Sequence, residues 1–144
     1  MAGDVIVLFK PYMYRKDIFD VDYHKLKQDG VKCIVFDLDN TLSFVSENKC
    51  SMKVKKLLMR LKKDFFICIS SNSTKKRIIP YLDDLDIDGI SFSLKPLPKA
   101  LIKIRKRYGF SKDEMVMIGD QLLTDVLAGN SYGIRPFWLI LWVK

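Results

Sequence analysis

Val35-Phe36-Asp37-Leu38-Asp39-Asn40-Thr41-Leu42 sets two carboxylates one residue apart at the end of an apolar run. The run, Val31 to Phe36, has β-branched residues at Val31, Ile34 and Val35 and predicts a strand buried on both faces, as in a parallel sheet. Asp37 and Asp39 then stand where the strand gives way to a loop. In an open α/β sheet the crevice beyond the carboxyl ends of the strands is where ligands bind. Alternate side chains of extended chain point the same way, so both carboxylates can face one small volume. Two like charges that close repel unless a cation joins them, and hard oxygen ligands suit Mg²⁺. Taken alone, the same D-x-D pattern also fits a turn or a helix N-cap.

Three further segments change that balance. Gly119-Asp120-Gln121-Leu122-Leu123-Thr124-Asp125 follows a second apolar run, Met115 to Ile118, and puts more carboxylates at a second strand end. Phe65-Phe66-Ile67-Cys68-Ile69 leads into Ser70-Ser71-Asn72, where hydroxyls, an amide and backbone N–H groups can meet an anion before a helical stretch. Lys95-Pro96 puts a cation in a loop ahead of the helix predicted to open at Pro98. Together the four segments supply acid, metal ligands, anion donors and positive charge.

The order of patterns sets the fold class. Met52, Val54, Leu57, Leu58 and Leu61 recur at helical spacing with lysines between them. A strand at Phe65, a helix from about Thr74 to Leu82, a short strand around Ile90, and a helix from Pro98 to Tyr108 with Gly109 as its stop follow in turn. Ser111-Lys112-Asp113-Glu114 has capping-box spacing with little room before the strand at Met115. A helix from Gln121 to about Asn130 and a closing strand from Arg135 complete the series. Repeated βα units predict an α/β fold with a doubly wound, Rossmann-like parallel sheet of about five strands. No linker, repeat or low-complexity tract divides the 144 residues, so residues 1–144 are expected to form a single domain, and 49% apolar residues supply its core.

Asp37-x-Asp39-x-Thr41, Ser71-Asn72, Lys95 and Gly119-Asp120 with Asp125 resemble, in order and spacing, the four motifs of the haloacid dehalogenase (HAD) superfamily. The phrases Asp-Leu-Asp-Asn-Thr-Leu, Lys-Pro-Leu and Gly-Asp-Gln-Leu-Leu-Thr-Asp-Val-Leu-Ala-Gly-Asn resemble more narrowly its cap-less subclass IIIA. These are the YqeG-type phosphatases related to the mitochondrial phosphatidylglycerophosphate phosphatases. The resemblance implies that Asp37 is a nucleophile forming an aspartyl-phosphate and that Asp39 is general acid and then base. Ser71 and Lys95 would hold the phosphoryl oxygens, with Ser70 and Lys99 as their local competitors. It further implies Mg²⁺ held by Asp37, the backbone carbonyl of Asp39, and Asp120. Asp125 ranks below Asp120 as a metal ligand, being either a supporting acid or the cap of its helix. Asn72 contacts substrate or caps a helix, and Thr41 braces the nucleophile loop or touches substrate. In this superfamily caps are inserted after the first motif and between the second and third. Only about nine residues separate Leu42 from the next helix, and a helix and a strand use up the second interval, which predicts an open site.

Charge and cysteine usage bound the partners. Twenty-five Lys and Arg against 17 Asp and Glu leave +8, which favours anionic partners. The cations cluster at Lys53-Lys55-Lys56, Lys62-Lys63, Lys75-Lys76-Arg77 and Lys103-Arg105-Lys106-Arg107, mostly as solvated helix faces. The expected partner is a phosphorylated small molecule or lipid head group, with peripheral contact to an anionic membrane through a surplus basic patch such as Lys75, Lys76 and Arg77 near the strand ends. No nucleic-acid recognition motif is visible and none is expected to bind. Cys33, Cys50 and Cys68 are odd in number and lack a C-x-x-C, which predicts reduced thiols, a cytoplasmic protein and no zinc. The first residues lack the basic start of a signal peptide, and the apolar run from Pro136 to Val143 is too short to span a bilayer and predicts a last strand. His24, Trp138 and Trp142 fall outside every motif and are expected on the surface or in packing.

Overall fold

The computed structural model describes residues 13–15, 17–38, 42, 49–71, 73–90, 99–119 and 135–139. The elements are β1 (Met13–Arg15), α1 (Tyr23–Gln28), β2 (Cys33–Phe36), α2 (Met52–Leu61), β3 (Phe66–Ser70), α3 (Lys75–Leu85), β4 (Asp88–Ile90), α4 (Lys99–Tyr108), β5 (Met115–Gly119) and β6 (Arg135–Leu139). Every pairing is parallel, and the strands lie in the order β1-β6-β5-β2-β3-β4. The expected sheet of about five strands is there, widened at one edge by the three-residue β1.

Side-chain alternation along the central strands builds two cores. Ile34 and Phe36, with Ile67, Ile69, Val116 and Ile118, pack under α1, α2 and α3. Cys33 and Val35, with Cys68, Met115 and Met117, face the other way and are covered by Ile104 of α4 and by Phe66, Tyr108 and Phe110. Helices on both faces make the sheet doubly wound. Residues 73–90 are taken up by a turn, α3 and β4, so no cap domain interrupts that interval.

Local chemistry sets the helix ends. Ser51 Oγ accepts the Val54 N–H at 3.2 Å and Thr74 Oγ1 accepts the Arg77 N–H at 3.2 Å, one N-cap for each of α2 and α3. Gly109 ends α4 in the left-handed region at φ 76°, its N–H donating to the Arg105 carbonyl at 2.8 Å, the stop that its type predicts. Other bounds moved. Val31 lies outside β2 because its N–H donates to Leu26 of α1 at 3.0 Å. The helix expected to finish at Leu82 continues to Leu85, across Pro80. Tyr81 and Leu85 are buried there, and their packing offsets the N–H that Pro80 lacks. Ser111 and Glu114 form the capping box around a short 3₁₀ turn, Lys112–Glu114. Lys32 lies 2.8 Å from the Glu114 carboxylate, and that contact together with the Ser111 N–H pulls the Glu114 carboxyl down to about 2. Pro98 and the helix expected from Gln121 to Asn130 lie outside the described residues.

Leu58 and Met59 are sequence neighbours on α2, the first fully buried and the second 56% exposed. Leu58→Ala should lower the unfolding free energy by about 2–5 kcal/mol in urea titrations. Met59→Ala should change it by less than about 0.5 kcal/mol.

Candidate active site

Among the described residues, three polar or charged side chains are buried: Asp37, Ser70 and Ser71. All three stand at the carboxyl ends of the adjacent strands β2 and β3. A carboxylate that is 5% exposed costs free energy to keep there, so its place is a property of the site rather than of the core.

Asp37 is held by its backbone and its own loop. The last β2 pairings are Phe36 with Ile69 on one side and with Ile118 on the other, and the Asp37 N–H then donates to the Ile118 carbonyl at 2.9 Å. Asp37 Oδ1 accepts the Leu38 N–H at 2.9 Å, and Leu38 is buried in the core beneath. The chain leaves β2 towards β3 and β4 on one side and returns to β5 on the other. Asp37 therefore sits at the topological switch point, where an open α/β sheet forms its crevice. Gly119, the last residue of β5, directly precedes Asp120 in the sequence.

The second strand end supplies hydroxyls. Ser70 closes β3, and alternation sets it on the sheet face that Asp37 shares, since Val35 and Cys68 two residues earlier lie in one cluster. Ser71 Oγ accepts the Ser73 N–H at 3.1 Å in a short turn that leads to the Thr74 cap of α3. The first N–H groups of α3 thus open at the carboxyl edge, where they favour an anion. Burial pushes the Cys33 thiol up to about 12 and raises the Cys68 thiol as well, so neither supplies a thiolate nucleophile beside Asp37.

Of the residues expected to act, the structure brings Asp37 and Ser71 to one edge, and keeps Ser70 beside them as a competitor. Asp39, Thr41, Asn72, Lys95, Asp120 and Asp125 lie outside the described residues. Lys99 opens α4 and His24 is exposed on α1, as its lack of a motif predicts. The full burial of Ser70 goes beyond what the motifs predict, although its place two residues past Cys68 in an apolar run is a usable signal. Among the described residues no helix is long and apolar enough to cross a membrane.

The HAD-hydrolase-like family model matches residues 94–139. The probable phosphatase YqeG of Bacillus subtilis is 35% identical over 133 residues, an alignment covering 92% of this chain and 77% of that protein. The chloroplastic/mitochondrial phosphatidylglycerophosphate phosphatase 1 of Arabidopsis thaliana is 27% identical over 133 residues, covering 85% of this chain and 38% of that protein. A HAD family enzyme of Bacteroides thetaiotaomicron, solved with magnesium and inorganic phosphate, has the same fold at a TM-score of 0.61. It shares 13% identity, with 76% of this chain and 94% of that one covered.

A carboxylate retained for chemistry should be dispensable for folding. Asp37→Asn keeps the acceptor for the Leu38 N–H and removes the buried charge, so in EDTA its urea midpoint should equal or exceed that of the parent. Phe36→Ala, one residue earlier and fully buried, should cost about 3–5 kcal/mol. A large loss in Asp37→Asn would make the carboxylate structural.

Proposed function

The chain belongs to the HAD-like phosphatase family that includes YqeG, and on that premise we propose that it is a Mg²⁺-dependent phosphomonoesterase acting through an aspartyl-phosphate on Asp37. The observation that supports this reading above all others is the buried Asp37 carboxylate at the switch point of the sheet.

In the proposed reaction an Asp37 carboxylate oxygen attacks phosphorus, the bond from phosphorus to the leaving alcohol breaks, and Asp39 gives that alcohol its proton. Asp39 then takes a proton from a water that attacks the phosphoryl group, which frees Asp37 and releases phosphate. Ser71, helped by the N–H groups that open α3, and Lys95 hold the phosphoryl oxygens as charge spreads over them. The buried oxygen donor of Asp37 fits Mg²⁺ in its chemistry. Asp37, Asp120 and the Asp39 carbonyl would hold the ion, with Asp125 behind them, and it would offset the repulsion between carboxylate and phosphate dianion. Thr41 braces the nucleophile loop and Asn72 faces the substrate.

The proposed substrate is the phosphomonoester of a lipid head group, phosphatidylglycerophosphate. The name of the Arabidopsis relative and the expected open site support it. With few contacts around the non-reacting part of a ligand, an open site gains little affinity for free metabolites. The alternatives are a phosphatase for a soluble sugar phosphate or nucleotide, and a HAD-fold binding module without turnover. A kcat/KM higher for one soluble phosphate than for the lipid would establish the first, and no turnover of any phosphomonoester the second.

Hydrolysis of para-nitrophenyl phosphate should stop in EDTA and return with Mg²⁺, while Ca²⁺ should inhibit because its larger, looser shell misplaces the nucleophile. Asp37→Asn should lower kcat at least about 10³-fold. Full activity after exhaustive chelation would remove the metal from the mechanism.

A further inference from the structure

The outer face of α2 carries apolar and basic side chains together. Met52 is 65% and Met59 56% exposed, the most exposed large hydrophobic residues among those described. Met52, Lys56, Met59 and Lys63 follow at intervals of four, three and four, which makes one stripe that continues a turn past Leu61. Beside it the Lys53 ammonium lies 4.2 Å from the centre of the Phe19 ring, itself 39% exposed. The helix contains no acidic residue. Lys55 is engaged by Asp84 at 2.8 Å, whereas Lys53, Lys56 and Lys63 form no ion pair among the described residues. Of the nearby acids, Asp17 turns its carboxylate onto the N–H groups of Phe19 and Asp20, and Asp64, next to Lys63 in the chain, pairs with Lys27 at 2.7 Å.

The opposite layer differs. Lys103, Lys106 and Arg107 of α4 are exposed, yet no large hydrophobic residue is exposed on that helix among the described side chains. That is the pattern of a solvated basic face. A face with unpaired cations around protruding methionines matches an anionic surface that has an apolar layer just beneath it. α2 follows the Asp37 loop in a parallel βαβ unit, so its first residues, Met52 and Lys53, stand at the same end of the molecule as Asp37.

We propose that the outer face of α2 docks on an anionic lipid bilayer, with Phe19, Met52 and Met59 entering the boundary between head groups and acyl chains and Lys53, Lys56 and Lys63 meeting lipid phosphates. This inference rests on the lipid-phosphate reading of the site and names the surface that brings the site to its substrate.

The test is co-sedimentation of the full chain with vesicles of equal parts phosphatidylglycerol and phosphatidylcholine, at low and high salt. The parent should bind and be released by salt. Lys53→Glu/Lys56→Glu/Lys63→Glu should weaken partition at least about 50-fold, since each surface lysine contributes about fivefold. Met52→Gln/Met59→Gln should weaken it about tenfold while leaving the salt dependence in place. The charge-matched Lys103→Glu/Lys106→Glu/Arg107→Glu should stay within about fivefold of the parent because its charges lie on the far side of the sheet. Equal losses in the two charge-reversal variants, or parental binding by both α2 variants, would overturn the docking face. So would parental affinity for RNA with none for vesicles.

Turnover separates this from the reading beneath it. On monomeric short-chain phosphatidylglycerophosphate the α2 variants should match the parent in kcat/KM, and on the same lipid in vesicles they should fall with binding. A parent that hydrolyses neither form overturns the lipid reading of the site. A parent that hydrolyses both, with α2 variants unimpaired on vesicles, overturns the docking face alone.

Discussion

Strand β2 is enclosed on all sides, and the rest of the molecule is arranged around that constraint. Cys33, Ile34, Val35 and Phe36 are fully buried, with β5 and β3 on the two edges and a helical layer on each face. A strand so enclosed has no freedom to slip, because a one-residue shift would exchange its two faces between two different cores. Asp37, the next residue, inherits that rigidity through its N–H on the Ile118 carbonyl. Such fixation suits the role proposed for Asp37, since a reacting group held in the right orientation meets its target without a fresh loss of entropy.

Polar burial is concentrated where it can be used. At the carboxyl edge lie Asp37, Ser70, Ser71 and the N-terminal ends of α2 and α3. The amino edge is held instead by backbone links, the Lys32 N–H on the Glu114 carbonyl at 2.8 Å and the Phe66 N–H on the Lys32 carbonyl at 2.8 Å, beside the pair of exposed Lys32 and half-buried Glu114. No disulfide joins the three cysteines, which are buried in the apolar layers and act there as packing groups. One edge of the sheet thus carries the burden of unfavourable groups, and the stability of the other edge and the two cores supports it.

The two helical layers also divide the positive charge differently. On α4 the cations surround a helix whose apolar contacts point inward to the Phe66, Tyr108 and Phe110 cluster. On α2 they stand among outward methionines, on a helix that buries Val54, Leu57, Leu58 and Leu61 on its other side. Net charge alone does not distinguish these faces; the exposure of individual side chains does.

Much of the site's ground plan was legible locally. A mostly apolar run with β-branched residues at Val31, Ile34 and Val35, ending in a carboxylate, predicts a central strand with Asp37 beyond it, and the 3.6-residue period of Val54, Leu57, Leu58 and Leu61 predicts α2. Gly109 announces its stop because a left-handed residue favours glycine. Short elements escaped: α1 has six residues and β1 three, too few for a period to show. Their existence depends on contacts such as Val31 with Leu26 and β1 with β6. What the sequence by itself determined was where the candidate acids and hydroxyls fall relative to the strands and which faces are apolar, since both are properties of residue type and short-range spacing. Only the tertiary structure decided that β5 returns to pair with β2, so that the Asp37 loop lies beside the end of β5 and the Ser70-Ser71 turn. Phe36 and Ile118 are far apart along the chain, and parallel pairing between such residues is selected by the closure of two cores at once, a condition that no local pattern encodes.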